Sequence, residues 1–140
     1  MKHYFLDTNV VIDFLAHREP FAETALALFR AALAKQATLY VASLSFSNVY
    51  YILRKSTSPA VARDKLNRLE KLVTILNVDA SIIRLALASS FTDYEDGIQH
   101  FAAQASPSVT AIVTRDFKDF QASVLPVISP AQALLEIQRF

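Results

Sequence analysis

No cysteine occurs among the 140 residues, so no disulfide framework, thiolate nucleophile or zinc–thiolate site can form, and nothing points to an oxidising compartment. Glycine is nearly missing as well. Gly97 is the single one, which excludes the glycine-rich phosphate loops of dinucleotide-binding and P-loop proteins. No run reaches the ~18 apolar residues that span a bilayer, and the first residues carry no leader pattern with a cleavage site. The expected location is therefore the cytoplasm, with no membrane partner. Charge is sparse: 19% of residues are charged against 53% hydrophobic, a balance that demands a packed core and argues against disorder. A formal net charge of +1 does not by itself indicate a polyanion partner, which needs a clustered basic face. The length suits one domain spanning residues 1–140.

What is present is an alternation of short apolar runs with longer helical patterns. Candidate strands are Tyr4 to Leu6, Leu39 to Ala42, Thr74 to Val78, Ala111 to Thr114 and a weaker one at Val124 to Ile128. Several are nearly continuous in apolar residues, as strands covered on both faces tend to be. Between them Ala22, Leu26, Phe29 and Leu33 recur at helical spacing, as do Ala62, Leu66, Leu69 and Val73, then Ile98, Phe101, Ala102 and Ala105. Pro20 and Pro59 precede two of these helices, and Ser129-Pro130 reads as an N-cap followed by a first-turn proline. The pattern predicts an α/β domain with a mainly parallel sheet, whose ligands sit beyond the carboxyl ends of the strands.

Acids cluster where that rule places ligands. In "HYFLDTNVVIDFL", Asp7 follows the first strand directly. Asp7 or Thr8 as a plain cap for a helix starting near Val10 is an equally available reading, and Asp13 reads as solvated or partner-facing. In "FTDYEDGIQHFAA", Asp93, Glu95 and Asp96 crowd a helix start. Thr92 and Glu95 have capping-box spacing, and first-turn acids suit the helix dipole, but capping does not call for three acids in four positions. In "AIVTRDFKDF" a strand delivers Thr114, Arg115 and Asp116 to the same rim, with Asp119 beyond as a ligand-side or plain turn acid.

Carboxylates gathered from three segments raise one another's pKa unless a cation holds them ionised. Hard oxygen donors without His or Cys suit Mg2+ or Mn2+, and the expected chemistry is phosphodiester hydrolysis by a metal-bound water. His3, His17 and His100 lack ligand spacing; His100, one turn after Asp96, reads as structural or at most supporting.

These stretches resemble the PIN-domain nucleases, which include the toxin ribonucleases of VapBC-type toxin–antitoxin pairs. "FLDTNVVIDFL" is similar to the first family motif, "DYEDGIQHFAA" to the central acidic motif and "IVTRDFKDF" to the last strand and turn, so the resemblance runs from about residue 3 to residue 130. It implies a three-layer α/β/α domain around a mainly parallel sheet of four or five short strands. It also implies metal ligands at Asp7 and Asp96, with Asp116 completing the catalytic set. Asp93 is a further candidate ligand and Glu95 a supporting acid. Thr114, together with Thr8 or Asn9, would orient ligands or waters. Such proteins cleave RNA with Mg2+ or Mn2+, form homodimers and are silenced by a small antitoxin protein.

One position departs from the pattern. PIN nucleases usually carry a glutamate on the helix after the second strand, and in "ASLSFSNVYYILRK" Asn48 stands there. An amide can orient water but supplies no charge, which puts a second metal site in doubt; a branch of the family with a similar stretch shares the feature. On the same helix Tyr51, Arg54 and Lys55, beside Tyr50, are candidates to touch RNA bases and phosphates, as is Arg115 on its turn. Packing in the core or a dimer face is an equal reading of the tyrosines. "VARDKLNRLEKL" interleaves Arg63, Lys65, Arg68 and Lys71 with acids and reads as an ordinary exposed face.

Three function classes follow. The leading one is a metal-dependent endoribonuclease, either the toxin of a toxin–antitoxin pair or a stand-alone RNA-processing nuclease. The second is a non-catalytic module of the same fold that binds RNA or protein. The third, an aspartyl-nucleophile phosphatase at Asp7, expects a second acid two residues on, where Asn9 stands.

Overall fold

The computed structural model describes residues 1–139. Its sheet is parallel throughout, built from β1 (Lys2–Leu6), β2 (Ala37–Ala42), β3 (Thr74–Leu76), β4 (Ala111–Val113) and β5 (Val127–Ile128), in the spatial order β3-β2-β1-β4-β5. The helices are α1 (Thr8–Leu15), α2 (Ala22–Leu33), α3 (Ser43–Ser56), α4 (Pro59–Leu72), α5 (Ala80–Ala88), α6 (Tyr94–Gln104) and α7 (Pro130–Gln138), with a 3-10 turn at Phe117–Phe120.

Strand side chains alternate between two cores, which makes the domain three-layered. Tyr4, Leu6, Leu39, Val41, Ala111 and Val113 point to one face and pack under α1, α2, α3, α4 and α7. Phe5, Tyr40, Ala42 and Ile112 point to the other, under α5 and α6. Because both faces are covered, the strands read as continuous apolar runs rather than as alternating ones. Gly97 lies where α6 approaches α5: a Cβ there would meet Phe91 and Ser89 atoms at 3.4 Å. Among the described residues no helix is long and apolar enough to cross a membrane.

Differences from the sequence expectations have local causes. The strand expected from Val124 begins only at Val127, because the preceding donors are committed elsewhere. Val124 N–H donates to His100 Nε2 at 3.1 Å, and Leu125 N–H donates to Ser123 Oγ at 3.0 Å. His100 is accordingly a buried structural residue, and burial pulls its pKa down. The helical stripe through Leu33 also drifts: Ala25, Leu28 and Phe29 are buried while Leu33 is exposed at the helix end. Pro59 and Pro130 do open helices, with Ser58 and Ser129 capping them.

Candidate active site

The chain runs outward from β1 through β2 to β3, then returns to place β4 and β5 on the other side of β1. That reversal makes the carboxyl ends of β1 and β4 the switch point of the sheet, the place where ligands of open parallel sheets bind. Asp7 and Thr114 are the residues that leave those two strands, and Asp7 N–H still donates to Val113 O at 3.0 Å.

Asp7 is 5% exposed and has two jobs at once. Its Oδ1 accepts from Thr8 N–H at 2.7 Å, capping α1, and its Oδ2 accepts from the Thr114 hydroxyl at 2.7 Å. Thr114 is fully buried and acts as a hub: the same oxygen accepts from Asp116 N–H at 3.0 Å and from Asn9 Nδ2 at 3.5 Å. Asn9 Oδ1 is buried without a partner. The helix begins at Thr8, two residues earlier than expected, because Asp7 is its N-cap.

The second carboxylate comes from the first turn of α6. Asp96 is 8% exposed, and its pKa is pushed up to about 7 by burial first and then by the charges of Asp7, Asp93, Asp119 and Asp116. Burial raises Asp7 as well; hydrogen bonds from Thr114, Thr8 and Gln99 oppose that rise, and the charge of Asp116 adds to it. Asp119 is raised by desolvation, by a hydrogen bond shared with Asp116 and by the same surrounding charges. Five acids from three segments thus lie in one another's field, and the leading influences on Asp96 and Asp119 all raise their pKa. Asp93, Asp116 and Asp119 are exposed at the mouth, while Asp7 and Asp96 lie at the floor.

Among the described residues, no three His, Cys, Asp or Glu side chains close around a single point. The donor chemistry nevertheless fits a hard divalent cation. Mg2+ usually keeps several waters and takes one or two protein carboxylates, and the floor supplies two under-compensated carboxylates with an orphaned amide oxygen close by.

Several residues lie differently from their sequence expectation. Asp93, not Thr92, caps α6, with Glu95 N–H donating to Asp93 Oδ1 at 2.8 Å, so the capping box does not form. Asp13 is not solvated: at 1% exposure it accepts from Arg115 Nε at 2.6 Å, Arg115 Nη2 at 3.2 Å and Arg18 Nε at 3.1 Å. Arg115 also lies over the Phe21 ring at 3.8 Å, so its guanidinium is engaged by Asp13 and Phe21 while it keeps part of its surface exposed. Asn48 Nδ2 donates to Glu95 Oε1 at 3.3 Å, joining α3 to the acidic rim. Tyr51, Arg54 and Lys55 are exposed further along α3, with Arg54 over the Tyr51 ring at 5.1 Å.

Two participants escaped the sequence reading. Ser45 Oγ pairs with the Thr8 hydroxyl at 2.9 Å. Gln99 Oε1 accepts from Thr8 N–H at 3.1 Å. The available signal for Gln99 was its spacing, three residues after Asp96 and so on the same helix face.

The chain belongs to the PIN domain family, whose model matches residues 3–118. No match was found among curated proteins. Its fold is similar to that of VapBC2 from Rickettsia felis, solved bound to a promoter DNA fragment, with a TM-score of 0.67 and 18% identity over 91% of this chain and 98% of that one. It is also similar to Mycobacterium tuberculosis VapC20, described as a sarcin–ricin-loop-cleaving toxin, with a TM-score of 0.65 and 16% identity over 87% and 95% of the two chains. A toxin–antitoxin complex from Klebsiella pneumoniae matches with a TM-score of 0.63 and 22% identity over 91% and 97%. Identities this low speak for a shared fold.

Proposed function

We propose that this PIN domain is an endoribonuclease dependent on Mg2+ or Mn2+ and the toxin component of a toxin–antitoxin pair. The observation that carries the reading is the pair of buried, mutually repelling carboxylates, Asp7 and Asp96, at the crevice between β1 and β4. Burying uncompensated like charges is costly, and a divalent cation there removes the cost.

In this reading Asp7 and Asp96 hold the ion, Asp116 completes the set from the rim, and Asp93 is a further ligand at the mouth. Such an ion, when bound, lowers the pKa of a coordinated water and offsets charge on the phosphoryl oxygens. Thr114 keeps Asp7 in one orientation through its 2.7 Å hydrogen bond. Asn9, tied to the hub Thr114 through its Nδ2, has a buried Oδ1 left without a partner beside the ligand set. The Asn48–Glu95 contact keeps the rim closed on the α3 side, and Tyr51, Arg54 and Lys55 offer aromatic and cationic contacts to single-stranded RNA. The toxin–antitoxin complexes to which the chain is similar support an antitoxin protein as partner; in this reading a small antitoxin covers the acidic crevice, and two copies of the chain form a homodimer in the cytoplasm.

The purified protein should cleave RNA in Mg2+ or Mn2+ and stop in EDTA. Asp7→Asn and Asp96→Asn should each lose at least 100-fold in rate while remaining folded by circular dichroism. Full cleavage by both folded variants would remove the site assignment. The neutral amide at Asn48 favours one second reading, a non-catalytic binding module, which expects bound RNA to stay intact under every metal condition.

A further inference from the structure

We propose that Gln99 is a positioning residue: it braces helix α6 against the Asp7–Thr8 turn and so sets how Asp7 and Asp96 face each other. The inference rests on the metal-site reading above and adds a residue to it.

Gln99 is 5% exposed and one helical turn beyond Asp96, on the same face of α6. Its Oε1 accepts from Thr8 N–H at 3.1 Å and from the Thr8 hydroxyl at 3.4 Å. That N–H is the one Asp7 Oδ1 also takes at 2.7 Å, so amide and carboxylate share a donor. The other end of the Gln99 amide is a donor, and Gln99 is among the groups that favour the charged form of Asp7. Thr8 in turn is tied to Ser45 on α3. Among the described residues, Gln99 makes the side-chain hydrogen bonds that join α6 to the cap of α1.

Packing alone does not account for an amide here. Ile98, Ala102 and Ala103 bury the apolar side of α6, and at a position this enclosed an apolar side chain of equal volume avoids the cost of desolvating a polar group. What the amide contributes is a cross-link between two segments whose carboxylates repel. Partners of this kind, behind the ligands of a metal site, change affinity or activity about 10- to 100-fold when removed.

The test is Gln99→Met, which keeps volume and removes both hydrogen-bonding ends, with Mn2+ alone as the probe and binding read by electron paramagnetic resonance. The expected result is a folded variant with Mn2+ affinity lowered about 10- to 100-fold, and RNA cleavage lowered in kcat with KM within twofold. A residue that only supports the fold would lower Tm and leave Mn2+ affinity in place. An affinity within twofold of wild type in folded Gln99→Met overturns the proposal. Should that variant fail to fold, Mg2+ titration of the wild-type protein decides. The Gln99 side-chain NH2 resonances should shift together with the Thr8 amide, and NH2 resonances that stay still overturn the proposal. Asp7→Asn separates the two levels of the argument. Mn2+ binding lost there but kept in Gln99→Met removes the role of Gln99 alone, whereas binding unchanged in both removes the metal site with it.

Discussion

Asp96 is the residue on which the electrostatics of the crevice converge. Its pKa of about 7 lies above the 3.8 of an unperturbed aspartate, so between those values the native state binds more protons than the unfolded one. Stability of the metal-free protein therefore falls as pH rises through that window. Asp96→Asn removes the term. In EDTA at pH 8 the variant should exceed wild type by about 1–2 kcal/mol, several degrees in Tm, once solvent screening at the exposed mouth is allowed for. At about pH 3, below the 3.8 of the unfolded chain, Asp96 is protonated in both states and the two should melt together, and saturating Mg2+ at pH 8 should stabilise only wild type. Thermal melts at the two pH values check this, and equal Tm at pH 8 would mean that Asp96 is not under repulsion. The convergence of Asp7, Asp96 and Asp116 on one edge is legible in the sequence, because Asp7 directly follows a strand signal, Asp116 follows another with Arg115 between, and Asp96 lies in the first turn of a helix. Gln99 and Ser45 are not legible, since a Gln or Ser inside a helix carries no sign of the remote Thr8 that it bonds.

At the scale of elements, the link that holds the rim is the ion pair between α1 and the turn after β4. Asp13 receives three charged hydrogen bonds, two from Arg115 and one from Arg18, and Arg115 lies between the hub Thr114 and the rim acid Asp116. Removing one partner of an enclosed pair strands the other. Asp13→Leu should cost about 2–3 kcal/mol, less than a fully buried pair because both arginines keep partial solvent contact. Asp13→Leu combined with Arg115→Met should recover most of the loss. Urea unfolding of the two single variants and the double checks the coupling, and simply additive losses would deny it. Sequence periodicity misses this pair because a lone Asp in an amphipathic helix looks solvated until the strand that carries its arginine is placed beside it. The short strands were easier, since apolar runs of three to five residues between turns have few other uses in a chain that alternates with helices. Their ends were harder: β5 shrinks to Val127–Ile128 because His100 and Ser123 take the donors upstream of it.

Over the whole molecule, one topological fact organises the site. A parallel sheet ordered β3-β2-β1-β4-β5 turns residues far apart in sequence into neighbours, and both cores do no more than hold the crevice open at one end. The measurement that tests this most directly is a map of Mn2+-induced line broadening over the backbone amides of the metal-free protein. Substoichiometric Mn2+ should broaden Asp7, Thr8, Asp96, Gln99 and Thr114 together, with the effect weakening toward Lys2 and Gln36 at the opposite end of the sheet. Broadening centred away from those five residues, or absent at millimolar Mn2+, would contradict the claim that three remote segments build one cation pocket.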